Sequence, residues 1–404
     1  MKYISITLTL ALLSLFIYSC QAVKPEEPVY IKKQKTVLVY LIANNSLSTD
    51  AVTSFNLIRN GYIPGEEGNL LVYFHNKNSG PVLYNIKRNQ SGEVVADTAY
   101  VFPARNSATS ASLTQALSVS ATLFPAEEYG LILWSHGTGW MPSGYYATGS
   151  FSSGTNISTI FAADPYANFI KLARDSNNGE IQRSFGSENN KEIEIRDLAT
   201  AFPYKLSFII FDACLMGGIE VAYELKEFTD YMIFSPAEIL TTSFPYNLIM
   251  RHIFKNPSDL RSVSEEYYNF YNAMSGSSRS ATISLVDCSK LQNLAAVAKE
   301  IFTANRSKIA LLNMSTIQGY FREGRAWFYD IKDFIDHIGS ADQIAKFDKA
   351  LSEVGLYKAA TPYFIELKID RYSGISTYIP NPSNTQLDDF YKKFKWNADT
   401  RMIE

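Results

Sequence analysis

Two side chains of this sequence have settings that suit covalent chemistry. Cys214 ends the apolar run of "SFIIFDACLMGG" (207–218), two residues after Asp212 and just before Gly217 and Gly218. His136 ends the apolar run of "LILWSHGTGW" (131–140), which delivers it into a Gly-rich turn. If the two meet, the sulfur can attack an acyl carbon while the imidazole hands a proton to the leaving group. Leu215, Ile219, Ala222 and Tyr223 fall at helical spacing, which predicts Cys214 at or just before a helix N-terminus. The dipole and unpaired amides there lower a thiol pKa from about 8.5, and a nearby imidazole lowers it further. The amides of Gly137 and of Cys214 itself are the candidates for holding a developing oxyanion, since glycine lets a carbonyl come close to the backbone.

Such a site needs a scaffold that brings two distant segments to one edge. Continuous apolar runs of strand length occur at 36–45, 69–76, 129–136, 206–213 and 230–236. They lack period-two alternation, as expected of strands buried on both faces of a mostly parallel sheet. Helical patterns fall between them at 48–60, 111–124, 194–202 and 216–228, so the predicted class is an α/β sandwich with helices on both sides. In such a sheet the carboxyl ends of the strands share one rim, where ligand crevices form. His136 and Cys214 both stand at such ends.

Helical patterns continue at 247–255, 258–274, 289–312, 329–338 and 341–354, with a strand-like "ATISLVD" at 281–287 and a hairpin expected across 363–380. The predicted division is a main domain over 35–290 and a C-terminal α+β subdomain over 291–404. Within the first, 141–193 is rich in Gly, Ser and Asn and too long for a passive connection, and reads as a surface insertion near the active face.

The N-terminus carries Lys2, an apolar run from Ile4 to Tyr18, and "FIYSC" ending in Cys20. A spanning helix needs about 20 apolar residues, so the run reads as a secretory signal over 1–19. The residues before Cys20 resemble a bacterial lipobox, which would make Cys20 the lipidated first residue of an exported, membrane-tethered protein. A plain cleavable signal or an N-terminal anchor is the alternative. Residues 20–34, with two prolines, read as a tether. Only Cys214 and Cys288 then remain; their contexts argue against a disulfide between them, and Cys288 reads as a buried small hydrophobe.

With 46% hydrophobic and 19% charged residues the chain is not of the disordered class. Thirty-seven basic against forty acidic residues leave a formal charge of −3, so no global field points to nucleic acid.

A hydrophobic strand ending in His-Gly, followed tens of residues later by one ending in Asp-Ala-Cys, resembles the caspase, legumain and gingipain superfamily of cysteine peptidases, and most of all its clostripain-type members. "YLIANNSLS", "CLMGGIEVAYEL", "WFYDIKDFIDHI" and "SGISTYIP" are similar to further blocks of that family, and the resemblance extends over most of 35–380. It implies a caspase-like sheet, a dyad of His136 and Cys214, and cleavage of protein or peptide substrates after Arg or Lys. Basic selectivity needs an anion in the pocket, for which the resemblance puts forward Asp212, two positions before Cys214 on a strand whose alternation points both to one side. A structural carboxylate is the other reading of Asp212. Glu238 in "SPAEILTTSFPY" either reaches the same pocket or lies on a solvated loop; Pro236 and its apolar neighbours depart from the more acidic, Gly-containing stretch of the family.

No cofactor is expected. Calcium enters only by the resemblance, since "DSNNGE" (175–180) lacks the glycine position and closing Glu of a calcium loop. His75 is read as a surface or structural residue, although it ends a strand; His252 and His337 are read as structural. Trp140 either walls the cleft or simply packs. No G-x-S-x-G, Walker or H-E-x-x-H motif is present. The competing class is a surface lipoprotein that retains the fold and binds peptides or a partner without turnover.

Overall fold

The computed structural model describes residues 31–143, 185–188, 191–320, 327–381 and 384–404. Among them the strands are β1 (Lys33–Ala43), β2 (Gly68–Asn76), β3 (Ser79–Arg88), β4 (Val94–Val101), β5 (Ala126–Trp134), β6 (Phe185–Glu188), β7 (Lys191–Ile193), β8 (Leu206–Asp212), β9 (Thr229–Phe234), β10 (Thr282–Asp287), β11 (Tyr329–Asp330), β12 (Gly355–Ala360), β13 (Tyr363–Phe364), β14 (Leu367–Lys368) and β15 (Ser376–Thr377). Nine of the described strands form one sheet in the order β12-β10-β9-β8-β5-β1-β2-β3-β4. Its five central strands, β9, β8, β5, β1 and β2, are parallel. Antiparallel strands extend it on both sides.

The uninterrupted apolar runs follow from burial on two faces. Val37, Val39 and Leu41 of β1 join one core together with Ile132, Ile210 and the helices Tyr246–Ile253 and Leu260–Asn272. Leu38, Tyr40 and Ile42 join the other, with Leu131, Ile209 and the helices Ser110–Leu123, Ile219–Leu225 and Leu291–Ala304. Each large side chain so buried contributes about 1.5–3 kcal/mol relative to exposure. This is the α/β sandwich with a mostly parallel sheet that the pattern predicts.

The outer strands β3, β4 and β12 were not expected. They have partly exposed faces and mixed composition, so they lack the continuous apolar signature of the centre. The hairpin expected over 363–380 is also different. β13 and β14 pair tightly with each other, while β15 pairs with β11 and the amide of Ser376 donates to the carbonyl of Gly217 at 2.9 Å. "SGISTYIP" thus lies behind the nucleophile turn. The described residues from 32 onward form one compact unit, and the chain after 290 supplies β12 and several helices to it.

Candidate active site

β5 and β8 run side by side, with Trp134 opposite Asp212 where they end. The amide of Ser135 still donates to the carbonyl of Asp212, at 3.4 Å. Paired strands lie about 4.8 Å apart, so His136 and Cys214, each two residues beyond that last pair, leave the sheet as neighbours. Gly137 shows how closely. A Cβ at this position would stand 2.6 Å from the Cys214 carbonyl oxygen and 3.1 Å from Cβ of Ala213. Gly139 has a φ of 59°, and a Cβ there would come within 2.5 Å of the Leu215 carbonyl oxygen. The glycines of "HGTGW" therefore let the histidine turn pack directly on the cysteine turn.

Cys214 sits on a sharp turn rather than at a helix start. Leu215 takes a left-handed φ of 61°, a strain of about 1–3 kcal/mol for a non-glycine residue. The turn is held by the amides of Leu215 and Gly217, which donate to the carbonyls of Ala237 at 2.9 Å and Ser235 at 2.8 Å. The helix begins only at Ile219, so the expected dipole at the sulfur is not there. In its place the amide of Ile239 donates to Sγ at 3.4 Å, and the thiol lies 3.6 Å from the Ile239 carbonyl oxygen. The amide donor favours the thiolate, and the carbonyl acceptor favours the thiol.

His136 is 6% exposed, and its Nε2 lies 2.9 Å from Oγ of Ser46. Ser46 is on the loop leaving β1, the strand next to β5, where Leu41 stands opposite Trp134. The carbonyl of His136 accepts from the amide of Gly186 at 3.0 Å, and Gly137 bridges Phe185. The hairpin β6–β7 is thus fastened to the histidine turn.

Asp212 is 4% exposed, with its carboxylate inside a polar cluster. Oδ2 accepts from the hydroxyls of Ser243 and Tyr246 (2.7 Å) and from the amide of Phe244 at 3.3 Å. Trp134 Nε1 donates to Ser243 in turn, at 2.8 Å. Burial pushes the Asp212 carboxyl up to about 6, although these donors act in the opposite direction. Among the described residues none donates to Oδ1. Because β8 ends at Asp212 and Leu215 reverses the chain, the alternation expected to align Asp212 with Cys214 does not extend to the cysteine. Glu238, half-buried, adjoins Ile239 on the loop that touches the sulfur.

The structure therefore brings together His136, Gly137, Cys214 and the Glu238 loop, while the Asp212 side chain is engaged by Ser243, Phe244 and Tyr246. Cys214 and Cys288 are free thiols, and burial pushes that of Cys288 far up. Trp140 is buried against Tyr378 and Tyr391 and packs rather than lining a cleft. His252 bonds Glu266, and His337 bonds the carbonyl of Asp333. His75 is buried rather than on the surface. Its Nδ1 lies 2.7 Å from Ser107 Oγ and 3.2 Å from Glu188 of the hairpin. Ser46 and Glu188 were missed by sequence reasoning. The available signal was "ANNSLS", a polar loop at the carboxyl end of the strand beside the histidine strand.

Cys20, the signal and most of the tether, "DSNNGE", and Lys171, Arg174 and Arg183, the basic residues of the 141–193 insertion at which an activating nick is expected, lie outside the described residues. Among the described ones, no three His, Cys, Asp or Glu side chains are grouped to hold a metal ion, and no helix is long and apolar enough to cross a membrane.

A large, mostly parallel sheet that carries a histidine turn and a cysteine turn on adjoining strand ends is the architecture of caspase-like cysteine peptidases. The model of the clostripain family matches residues 39–153 and 173–402, and the chain belongs to that family of cysteine peptidases. An inactive zymogen C11 protease from Parabacteroides distasonis is 29% identical with a TM-score of 0.75, over 92% of this chain and 99% of that one. A secreted C11 cysteine protease from Bacteroides thetaiotaomicron, iotapain, is 23% identical with a TM-score of 0.75, over 92% and 99%. A secreted C11 cysteine protease from the same organism, in complex with an irreversible peptide inhibitor, is 24% identical with a TM-score of 0.71, over 91% and 99%. A comparison with curated proteins gives no match.

Proposed function

We propose that this protein is an endopeptidase in which His136 and Cys214 form the catalytic dyad. The observation that supports this most is the packing of the Gly137 turn on the Cys214 carbonyl, at the ends of two adjacent parallel strands. Sγ, as the thiolate, bonds to the substrate carbonyl carbon, and the amides of Gly137 and Cys214 receive the oxyanion. The C–N bond then breaks as the His136 imidazolium gives its proton to the leaving amine. Water, deprotonated by His136, hydrolyses the thioester and restores the thiol.

Cleavage after Arg or Lys belongs to the same proposal. With the chain's own donors on Oδ2, Oδ1 of Asp212 is the oxygen that would meet a basic side chain, and Glu238 adds negative charge beside the sulfur loop. Export with Cys20 lipidated, and a nick in 141–193 at Lys171, Arg174 or Arg183, complete it. A relative described as an inactive zymogen is in keeping with such a nick.

Purified protein profiled on a peptide library, with and without chelator, tests the reading. Cleavage after Arg or Lys that is abolished in Cys214→Ala and in His136→Ala is expected. Retained turnover in either variant, or peptide binding without turnover in the native chain, would overturn it. Incorporation of labelled palmitate that is lost in Cys20→Ser tests the anchor separately.

A further inference from the structure

Oγ of Ser46 lies 2.9 Å from Nε2 of the His136 imidazole. Its surroundings are built to keep it there. Asn45 Nδ2 donates to the carbonyls of Ile42 at 3.1 Å and Ser187 at 2.7 Å, and its Oδ1 accepts from the amide of Leu47 at 2.8 Å. Asn44 donates to Glu188 at 3.0 Å. The hairpin carrying Ser187 and Glu188 also donates from Gly186 to the carbonyl of His136. A closed path thus runs from the imidazole through Ser46 and Asn45 to the hairpin and back to the His136 backbone. The side chain and main chain of the histidine are both referenced to β6.

We propose that Ser46 is a positioning residue for the reaction, holding the imidazole through Nε2 so that Nδ1 carries the proton to the leaving amine. An imidazolium donates from both nitrogens, so Ser46 Oγ must then act as the acceptor. It favours the thiolate–imidazolium pair over the neutral pair, and it fixes the plane of the ring. A hydroxyl in this place is a weaker acceptor than a carboxylate, which keeps the imidazolium acidic enough to release its proton. The inference rests on the dyad proposed above and adds the residue that orients it.

The test is the pH dependence of alkylation of Cys214 by iodoacetamide in the full chain, which needs no turnover, together with steady-state kinetics on a cleaved peptide. Ser46→Ala is expected to raise the apparent thiol pKa, and to lower kcat by about tenfold or more with KM changed less than about twofold. The alkaline limb of the rate profile should move to lower pH. Ser46→Thr, which keeps the hydroxyl, should restore all three readouts. Native alkylation and kinetics in Ser46→Ala, or a Thr variant as impaired as Ala at equal thermal stability, would overturn the inference and leave the dyad standing. If His136→Ala leaves the thiol titration unmoved, the dyad fails and this inference fails with it. A Ser46→Ala chain that does not fold would be decided by Ser46→Thr and Ser46→Gly, one of which keeps and the other removes the hydroxyl.

Discussion

The α-carbon of Gly137 lies against the carbonyl oxygen of Cys214, where a single added methyl group would stand 2.6 Å from that oxygen. The neighbour is main chain on a turn already strained at Leu215, so it cannot swing aside as a flexible side chain would. Gly137→Ala must separate the two turns by several tenths of an ångström. Displacements of about 1 Å in a reacting constellation cost about a hundredfold in rate. The expected result is a fall of kcat/KM of that order with a modest drop in melting temperature. Native activity in Gly137→Ala would mean that the two turns are not apposed in the working enzyme.

The hairpin β6–β7 is secured by a buried carboxylate. Glu188 accepts from Ser107 N at 2.7 Å and Asn44 at 3.0 Å and pairs with His75 at 3.2 Å. Burial alone pushes its carboxyl up, but His75, Ser107 and Asn44 together hold it below the ordinary value. A carboxyl lowered on folding contributes stability at pH above its unfolded value, and this is lost as pH falls through the folded value. Glu188→Ala should cost about 3 kcal/mol near neutrality, because the buried Ser107 amide, Asn44 and His75 lose a charged acceptor, and the gap to the native chain should narrow below about pH 4. Guanidinium midpoints at pH 7 and pH 3.5 check this; an equal cost at both would deny the carboxylate its charge-dependent role.

The central sheet was legible because strands buried on both faces must be apolar throughout, and the proposed pair of His136 and Cys214 stood out because each ends such an apolar run. What escaped notice is of another kind. Ser46 is an ordinary loop serine until the register of β1 on β5 places it at the imidazole. Glu188 follows a long polar segment, and its partners come from the end of β2 (His75) and from two loops (Asn44 and Ser107). The helix expected at Cys214 from the helical spacing of Leu215, Ile219, Ala222 and Tyr223 starts later, because Leu215 takes a left-handed conformation and the chain turns before Ile219. The outer strands β3, β4 and β12 are half exposed, and their composition does not set them apart from loops.

The two described thiols should differ sharply in reactivity. Cys214 is partly exposed with the Ile239 amide aimed at its sulfur, whereas Cys288 is buried and its thiol is pushed far up by that burial. Alkylation requires the thiolate and access to it. Brief iodoacetamide treatment at pH 7.5, read by peptide mass spectrometry, should modify Cys214 at least about a hundredfold faster than Cys288. Comparable rates would show that the turn does not activate its cysteine.

Asp212 allows stability and selectivity to be separated in one substitution. Its carboxyl is raised to about 6 in the folded chain, above the ordinary value of 3.8. A carboxyl raised on folding binds its proton more tightly in the native state, so stability from this group is greatest below about pH 4 and declines as pH rises through about 6. A shift of about two units corresponds to a penalty of about 3 kcal/mol at pH 8. Asp212→Asn removes that penalty while leaving an oxygen for Ser243 and Tyr246. The stability of the variant relative to the native chain should therefore rise between pH 4 and pH 7, whatever its offset at either end. If Asp212 also meets the basic side chain of the substrate, the same variant should lose at least about tenfold in kcat/KM for Arg over norleucine at the residue before the cut, because a charge-assisted bond has been removed. A rising stability difference with unchanged selectivity would assign Asp212 to the scaffold alone and transfer the pocket charge to Glu238; a flat stability difference would contradict the buried, partly protonated carboxyl itself.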